Sequence, residues 1–205
     1  AVLALESWRA RCLVVGEDLG TVPGDFRERM AASDVLSYRV VYFEREGHGF
    51  KRPARYASKA AAVVSTHDLP TVAGWWAEED IAENQALGRF DAASSARMRH
   101  ERSVDRIALV AALEADGAAV QGAIDAKGAH TPEITAAVHR FAAATPSALV
   151  LIQADDLAGE TVALNLPGTD RERPNWRRKM GVETGELWKT PVGQAAAKDF
   201  ASRKS

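Results

Sequence analysis

Dense runs of small, β-branched or aromatic apolar residues recur along the chain, and most give way at once to polar ones. Cys12–Val15 is stopped by Gly16 and followed by Glu17 and Asp18. Leu36–Phe43, LSYRVVYF, is rich in aromatic and β-branched residues. Ala61–Val64 runs into Ser65, Thr66, His67 and Asp68, and Ala148–Ile152 into Gln153, Asp155 and Asp156. Short unbroken apolar runs of this kind are the composition of strands buried on both faces. They predict strands near 12–16, 36–43, 61–66 and 148–153, three of them ending in polar clusters.

Between the runs the period lengthens to that of helices. Residues 1–10 carry Val2, Leu5 and Trp8 on one side, and Asp25–Ala32 reads as a short helix behind the entry Thr21-Val22-Pro23. The segment Glu44–Lys59, charged and holding glycines and Pro53, is predicted as a loop. Thr71 is placed to cap a helix carrying Gly74, Trp75 and Trp76. Ala77–Phe90 is acidic and weakly patterned. Ser94–Ala115 is strongly helical, with an apolar stripe of Val104, Ile107, Leu109, Val110 and Leu113. Thr131-Pro132-Glu133 supplies a cap, a first-turn proline and an acidic first turn for a helix to about Ala144. A short helix over Asp156–Glu160, a loop over Thr161–Trp176 and a last helix over Gly193–Arg203 complete the pattern.

Strand and helix therefore alternate, the signature of an α/β fold with a parallel sheet. Four βα units are half of a (β/α)8 barrel, in which the C-terminal strand ends converge on one face. A small doubly wound sheet is the alternative, but it would carry a Gly-rich phosphate turn and none is present. The expected organisation is thus one unit over residues 1–205: the C-terminal half of a barrel, strands five to eight, with a long helical insert before the last strand.

Composition narrows the function classes. With 26 Lys and Arg against 28 Asp and Glu, the net charge of −2 disfavours electrostatic binding to nucleic acid or to a membrane surface. No apolar run approaches the ~20 residues of a membrane span. The one cysteine, Cys12, excludes an internal disulfide and a cysteine zinc cage, and fits a reducing cytoplasm. The start has no Met and reads as the last turns of a helix already under way, so a piece of a longer protein is expected.

Chemistry concentrates at the strand ends. Glu17, behind a dry strand, could act as a general acid if its pKa is raised, and Asp68 stands at the end of a strand two positions along. In a barrel, alternate strands serve the same interior layer, and paired carboxylates around a pocket are the equipment for cleaving glycosidic bonds. Helix-capping alone would also explain acids at these positions, and it suits Asp18 better than Glu17. His67 could donate to a sugar hydroxyl. His48, His100, His130 and His139 lack ligand-like spacing and are expected in solvent, so no metal site is indicated. Tyr38, Tyr42, Phe43, Trp75 and Trp76 are expected mostly in the core. Asn165, Asn175 and Trp176 fall in a loop predicted to cover the strand ends, where they could grip hydroxyls and stack on a ring. Arg171, Arg173, Arg177, Arg178 and Lys179 are expected to form a solvated basic run.

Taken together and in order, VVGEDLGTVP, LSYRVVYFE, VVSTHDLPTVAGWW, LIQADDLAGE and ALNLPGTDRERPNWRRK closely resemble the C-terminal part of bacterial 4-α-glucanotransferases. These are the amylomaltases or disproportionating enzymes, glycoside hydrolase family 77 of the α-amylase clan. The resemblance runs from Cys12 to Lys179, and over about 80–145 it is one of length and helicity more than sequence. It implies a retaining transglycosylase that needs no cofactor and moves α-1,4-glucan segments between maltodextrins. It puts Glu17 on the general acid/base and Asp68 on the carboxylate that grips substrate and stabilises the transition state. His67 and Asn175 fall on substrate-binding positions. The family's nucleophile, an aspartate in an Arg-x-Asp-His type motif, has no counterpart here. The chain alone is therefore expected to be inactive, to lack the other half of its barrel, and to cover its open edges by self-association or by rearranged helices. A non-catalytic maltodextrin-binding module and a hydrolase of the same clan are the competing expectations.

Overall fold

A computed structural model describes residues 2–203. In chain order it contains α1 (Val2–Ala10), β1 (Val15–Gly16), α2 (Phe26–Ala32) and β2 (Leu36–Val40). A two-stranded hairpin, β3 (Arg45–Glu46) and β4 (Gly49–Phe50), precedes β5 (Ala60–Val63). Then come α3 (Val72–Ala77), α4 (Glu79–Ala86), α5 (Ala92–Ala115) and α6 (Pro132–Ala143), before β6 (Leu149–Leu151), α7 (Ala154–Ala158) and α8 (Pro191–Ala201).

The main sheet has the order β1-β2-β5-β6, and every pairing in it is parallel. The register places Gly16 opposite Ser37, Tyr38 opposite Ala61 and Ala61 opposite Leu149. Parallel strands in sequential order bring all four C-terminal ends to one edge. The long helical tract α3–α6 lies between β5 and β6, as the sequence predicts.

Burial follows position in the sheet. Strand β5, Ala-Ala-Ala-Val, is flanked on both sides and wholly buried. Its methyl-sized side chains let helices approach closely, and Val40, Val63, Val64, Leu109, Leu113, Ile134, Val138 and Phe141 join in one core. Tyr42 stacks on Trp75 within it, centroids 5.3 Å apart. A second, smaller cluster of Leu157, Leu187, Val192 and Ala196 fixes α8 against α7.

Several expectations are corrected. The outer strands are shorter than predicted and not buried: Val15 is 38% exposed and Leu151 47% exposed, because β1 and β6 are the edges of the sheet. Residues Val41–Phe43 leave the strand for a 3-10 turn, and the loop Glu44–Lys59 holds the β3–β4 hairpin. Of the α5 stripe, Leu109, Val110 and Leu113 are buried while Val104 and Ile107 face solvent. The N-terminal half of α5 packs instead through Ser95 and Arg102, whose guanidinium donates to both Asp80 carboxylate oxygens and to the Trp75 carbonyl. Helix α1 forms, but Val2, Leu5 and Trp8 are all exposed.

The entry of α3 is tightly specified. Thr71 caps it by accepting from the Gly74 N–H at 3.0 Å, and donates its own hydroxyl to the Glu160 carbonyl at 2.6 Å. Gly74 is required by close approach rather than by its backbone angles: a Cβ there would lie 2.0 Å from the Thr161 carbonyl oxygen. Backbone on both sides of that contact leaves no flexible group to yield. The substitution Gly74→Ala is expected to cost roughly 3 kcal/mol, measured by urea unfolding; a loss under about 0.5 kcal/mol, the usual range for a neutral surface change, would show that the contact relaxes.

Candidate active site at the C-terminal edge of the sheet

Three of the four strand ends, those of β1, β5 and β6, carry adjacent polar residues with different jobs. After β1, Asp18 is fully buried: one carboxylate oxygen accepts from the Tyr38 N–H at 2.8 Å and the other from Arg27 Nε at 2.7 Å, with Arg39 at 3.7 Å. Burial alone would push its carboxyl up, but these donors and charges outweigh it and hold the group below the ordinary aspartate range. Asp18 thus stitches the end of β1 to β2. Glu17, one residue earlier, is exposed. Its charge is felt by Tyr38, whose phenol is raised first by burial and then by the Glu17 carboxylate.

After β6 the arrangement recurs. Asp156 is buried and accepts from the Val72 N–H at 2.8 Å, so it caps α3 from 84 residues away. Its other oxygen pairs with His139 Nε2 at 2.9 Å. The expectation that His139 is solvated is therefore wrong: on the buried face of α6 it is held by a carboxylate. His130 is half-buried, bonded to the Thr135 hydroxyl and lowered in pKa chiefly by desolvation, while His48 and His100 are exposed. Asp155 is taken by Arg178, which also pairs with Glu160.

The turn after β5 pushes its acid outward. Ser65 Oγ donates to the Pro70 carbonyl at 2.7 Å, and the Leu69 N–H to the Thr66 carbonyl at 3.2 Å. The Asp68 N–H donates to Thr66 Oγ1. The closed turn leaves the His67 and Asp68 side chains exposed, with Nε2 and Oδ1 3.4 Å apart. Two loop residues meet them: Asn165 Nδ2 donates to Asp68 Oδ1 at 2.6 Å, and Trp176 lies over His67 with centroids 5.3 Å apart. An open cleft of about 720 Å³ adjoins this group, lined by His67, Gln153, Leu164, Lys179 and Thr184 among others.

The loop folds on itself through Asn175. Its side-chain oxygen accepts from the Leu166 N–H and from Arg173, and its amide donates to Thr169 Oγ1 and to the Thr169 carbonyl. Asn175 therefore spends its hydrogen-bonding capacity inside the loop, whereas Asn165, which the sequence placed in the same loop but the resemblance did not put on a binding position, is the asparagine that reaches Asp68. The basic run is also not simply solvated: Arg173 is 7% exposed and Arg178 is ion-paired. Among the described residues no three His, Cys, Asp or Glu side chains converge as a metal site.

Glu17 thus lies just after β1 beside Tyr38 in the middle of β2, while His67, Asp68, Asn165 and Trp176 come together beyond the end of β5. A family model described as 4-alpha-glucanotransferase, glycoside hydrolase family 77, matches residues 1–184. The 4-alpha-glucanotransferase of Haemophilus influenzae is 32% identical over 183 residues, covering 88% of this chain and 26% of that protein. That of Mycobacterium tuberculosis is 34% identical over 181 residues, 86% of this chain and 24% of that protein. The amylomaltase of Corynebacterium glutamicum superposes with a TM-score of 0.85 at 28% identity, over 97% of this chain and 30% of the other. The chain therefore spans about a quarter of the length of these curated relatives.

Asp18 supplies a test at this level. Because its carboxyl is depressed in the folded state, its contribution is fully present above the unfolded value of about 3.9 and is lost as pH falls through the lower folded value. Asp18→Asn should cost roughly 2–3 kcal/mol at neutral pH and flatten the acid limb of a stability-against-pH curve. An unchanged acid limb would mean that Asp18 is not the group responsible.

Proposed function

The chain belongs to the 4-alpha-glucanotransferase family, glycoside hydrolase family 77, and from that premise we propose that it is part of an enzyme moving α-1,4-glucan segments between maltodextrins. In this reading residues 1–205 are one unit, the C-terminal half of a (β/α)8 barrel contributing its fifth to eighth strands, and the parent works in the cytoplasm. The observation that carries it is the placement of Glu17 and Asp68 after β1 and β5, parallel strands separated only by β2. Alternate strands of a barrel feed one interior layer, so the two acids face a common pocket.

The mechanism proposed is a retaining double displacement. A carboxylate nucleophile attacks C1 of the donor sugar while the Glu17 carboxylic acid delivers its proton to the departing 4-oxygen. The carboxylate so formed then takes the proton of an acceptor 4-hydroxyl as that oxygen attacks C1 and displaces the enzyme. Asp68, held by Asn165, binds sugar hydroxyls and offsets the positive charge that develops at the ring. His67 adds a donor, Trp176 offers an indole face to a glucose ring, and Asn175 serves substrate binding by fixing the loop that carries Asn165 and Trp176.

The nucleophile lies outside this chain in the proposed scheme. The one Arg-x-Asp in the sequence, Arg89-Phe90-Asp91, is followed by Ala92, and Asp91 caps α5 by accepting from the Ser94 N–H. A retaining pair needs its two carboxyls about 5 Å apart, so the chain by itself is inactive. The exposed apolar residues of α1 and the free edges of β1 and β6 favour self-association of the isolated chain.

The full-length parent should convert maltotriose to glucose and longer maltodextrins. Glu17→Gln should lower kcat roughly 10³-fold, with the first step recovering on an α-maltosyl fluoride donor whose leaving group needs no proton. Asp68→Asn should lower kcat roughly 10²-fold or more. Maltodextrin binding without turnover, or activity indifferent to both changes, would overturn the reading. The isolated chain should give no products, and sedimentation should find it above monomer mass; turnover, or a clean monomer at high concentration, would contradict these two points.

A further inference from the structure

The loop that carries Asn165 and Trp176 is held from outside by the helical insert. Arg173 sits at the loop's centre, 7% exposed, and each of its nitrogens is used. Nε donates to Glu83 of α4 at 2.8 Å, Nη2 to the Ala163 carbonyl, and Nη1 to the Leu164 carbonyl and to Asn175 Oδ1. These two carbonyls belong to the residues immediately before Asn165, and Asn165 donates to Asp68 Oδ1 at 2.6 Å. Arg89, just after α4, adds a second tie by donating to the Pro167 carbonyl at 3.0 Å.

We propose that Arg173, anchored by Glu83, is a positioning residue for Asp68. Its guanidinium fixes the backbone at 163–164, that backbone aims the Asn165 amide, and the amide sets the orientation of the Asp68 carboxylate. The inference rests on the role given to Asp68 above, and it assigns α4 of the insert a part in the chemistry. The physical basis is the fork of the guanidinium. Arg presents several donors in one rigid plane, so a single buried side chain fixes two carbonyls, one amide oxygen and one carboxylate in relation to each other. Lysine at 173 could not do so. A side chain oriented only by solvent would sample several directions, and a small misplacement of a charged group at the reacting ring is costly in rate.

The test uses the full-length protein with Arg173→Met, Glu83→Gln, Asn165→Ala and the double variant Arg173→Met/Asn165→Ala. Hydrogen exchange reads the brace without reference to activity. Arg173→Met should speed exchange in peptides covering 163–176 and also 65–70, whereas Asn165→Ala should affect chiefly 65–70. Kinetics on maltotriose read its consequence: Arg173→Met should lower kcat roughly 10-fold to 100-fold with KM nearly unchanged. The double variant should be no slower than Asn165→Ala alone, since both act along one path. Should Arg173→Met fail to fold, Glu83→Gln, which keeps shape and removes the charge at a partly exposed position, should show the same pattern more weakly. Unchanged exchange at 65–70, losses that multiply in the double variant, or a loss of efficiency carried wholly by a raised KM would each overturn the proposal. A wild-type protein without transglycosylase activity would instead refute the proposed function, while the exchange data would still decide whether the brace acts on the Asp68 turn.

Discussion

Two buried carboxylates fix the strand ends on which the rest of this structure depends. Asp18 accepts from a backbone N–H of the neighbouring strand, and Asp156 accepts from the first N–H of α3. Neither bond belongs to a regular ladder, and each ties a strand end to another element. A buried charge without partners would be expensive, so these acids are surrounded: Asp18 by Arg27 and Arg39, Asp156 by His139. With the strand ends locked, adjacent residues are free to face outward. Glu17 is exposed because Asp18 does the structural work beside it, and the same separation of labour sets Asp155 apart from Asp156.

A parallel sheet then gathers the outcome at one edge. Turns after β1 and β5 deliver Glu17 and Asp68 on either side of β2, and the loop 161–178 comes over the end of β5 with Asn165 and Trp176. The loop owes its shape to its own bonds through Asn175 and Arg173 and to the insert behind it. Regions far apart in sequence, α4 and the loop ninety residues later, are thereby joined through the Arg173–Glu83 pair.

Much of this was legible in the chain. The four runs at 12–16, 36–43, 61–66 and 148–153 located all four strands of the sheet, since a dense apolar run with β-branched residues has few other uses. Thr71 marked a helix start because capping is a local matter, and Thr131-Pro132 marked another through its first-turn proline, although the Thr131 side chain makes no capping bond. Burial was less legible wherever it depended on neighbours. Val15 and Leu151 read like Ala62 in sequence, yet they lie on edge strands, and the α5 stripe could not show where the core ends. The polar core was the least legible. His139 and Arg173 have no local signature, because their partners Asp156 and Glu83 come from other elements. Asn165 and Asn175 are alike in composition and differ only in which of them the folded loop turns toward Asp68.

The proposed pairing of Glu17 with Asp68 across one sugar-binding pocket is tested most directly by a crystal structure of the full-length Glu17→Gln protein with a maltooligosaccharide spanning the scissile bond. The distances that matter run from the residue 17 carboxamide to the glycosidic oxygen and from Asp68 to the hydroxyls of the adjoining donor ring. Both are expected within hydrogen-bond reach, about 3 Å, on the same glucose unit. A glucan bound elsewhere, or one touching Asp68 while residue 17 lies beyond reach even of a bridging water, would contradict it.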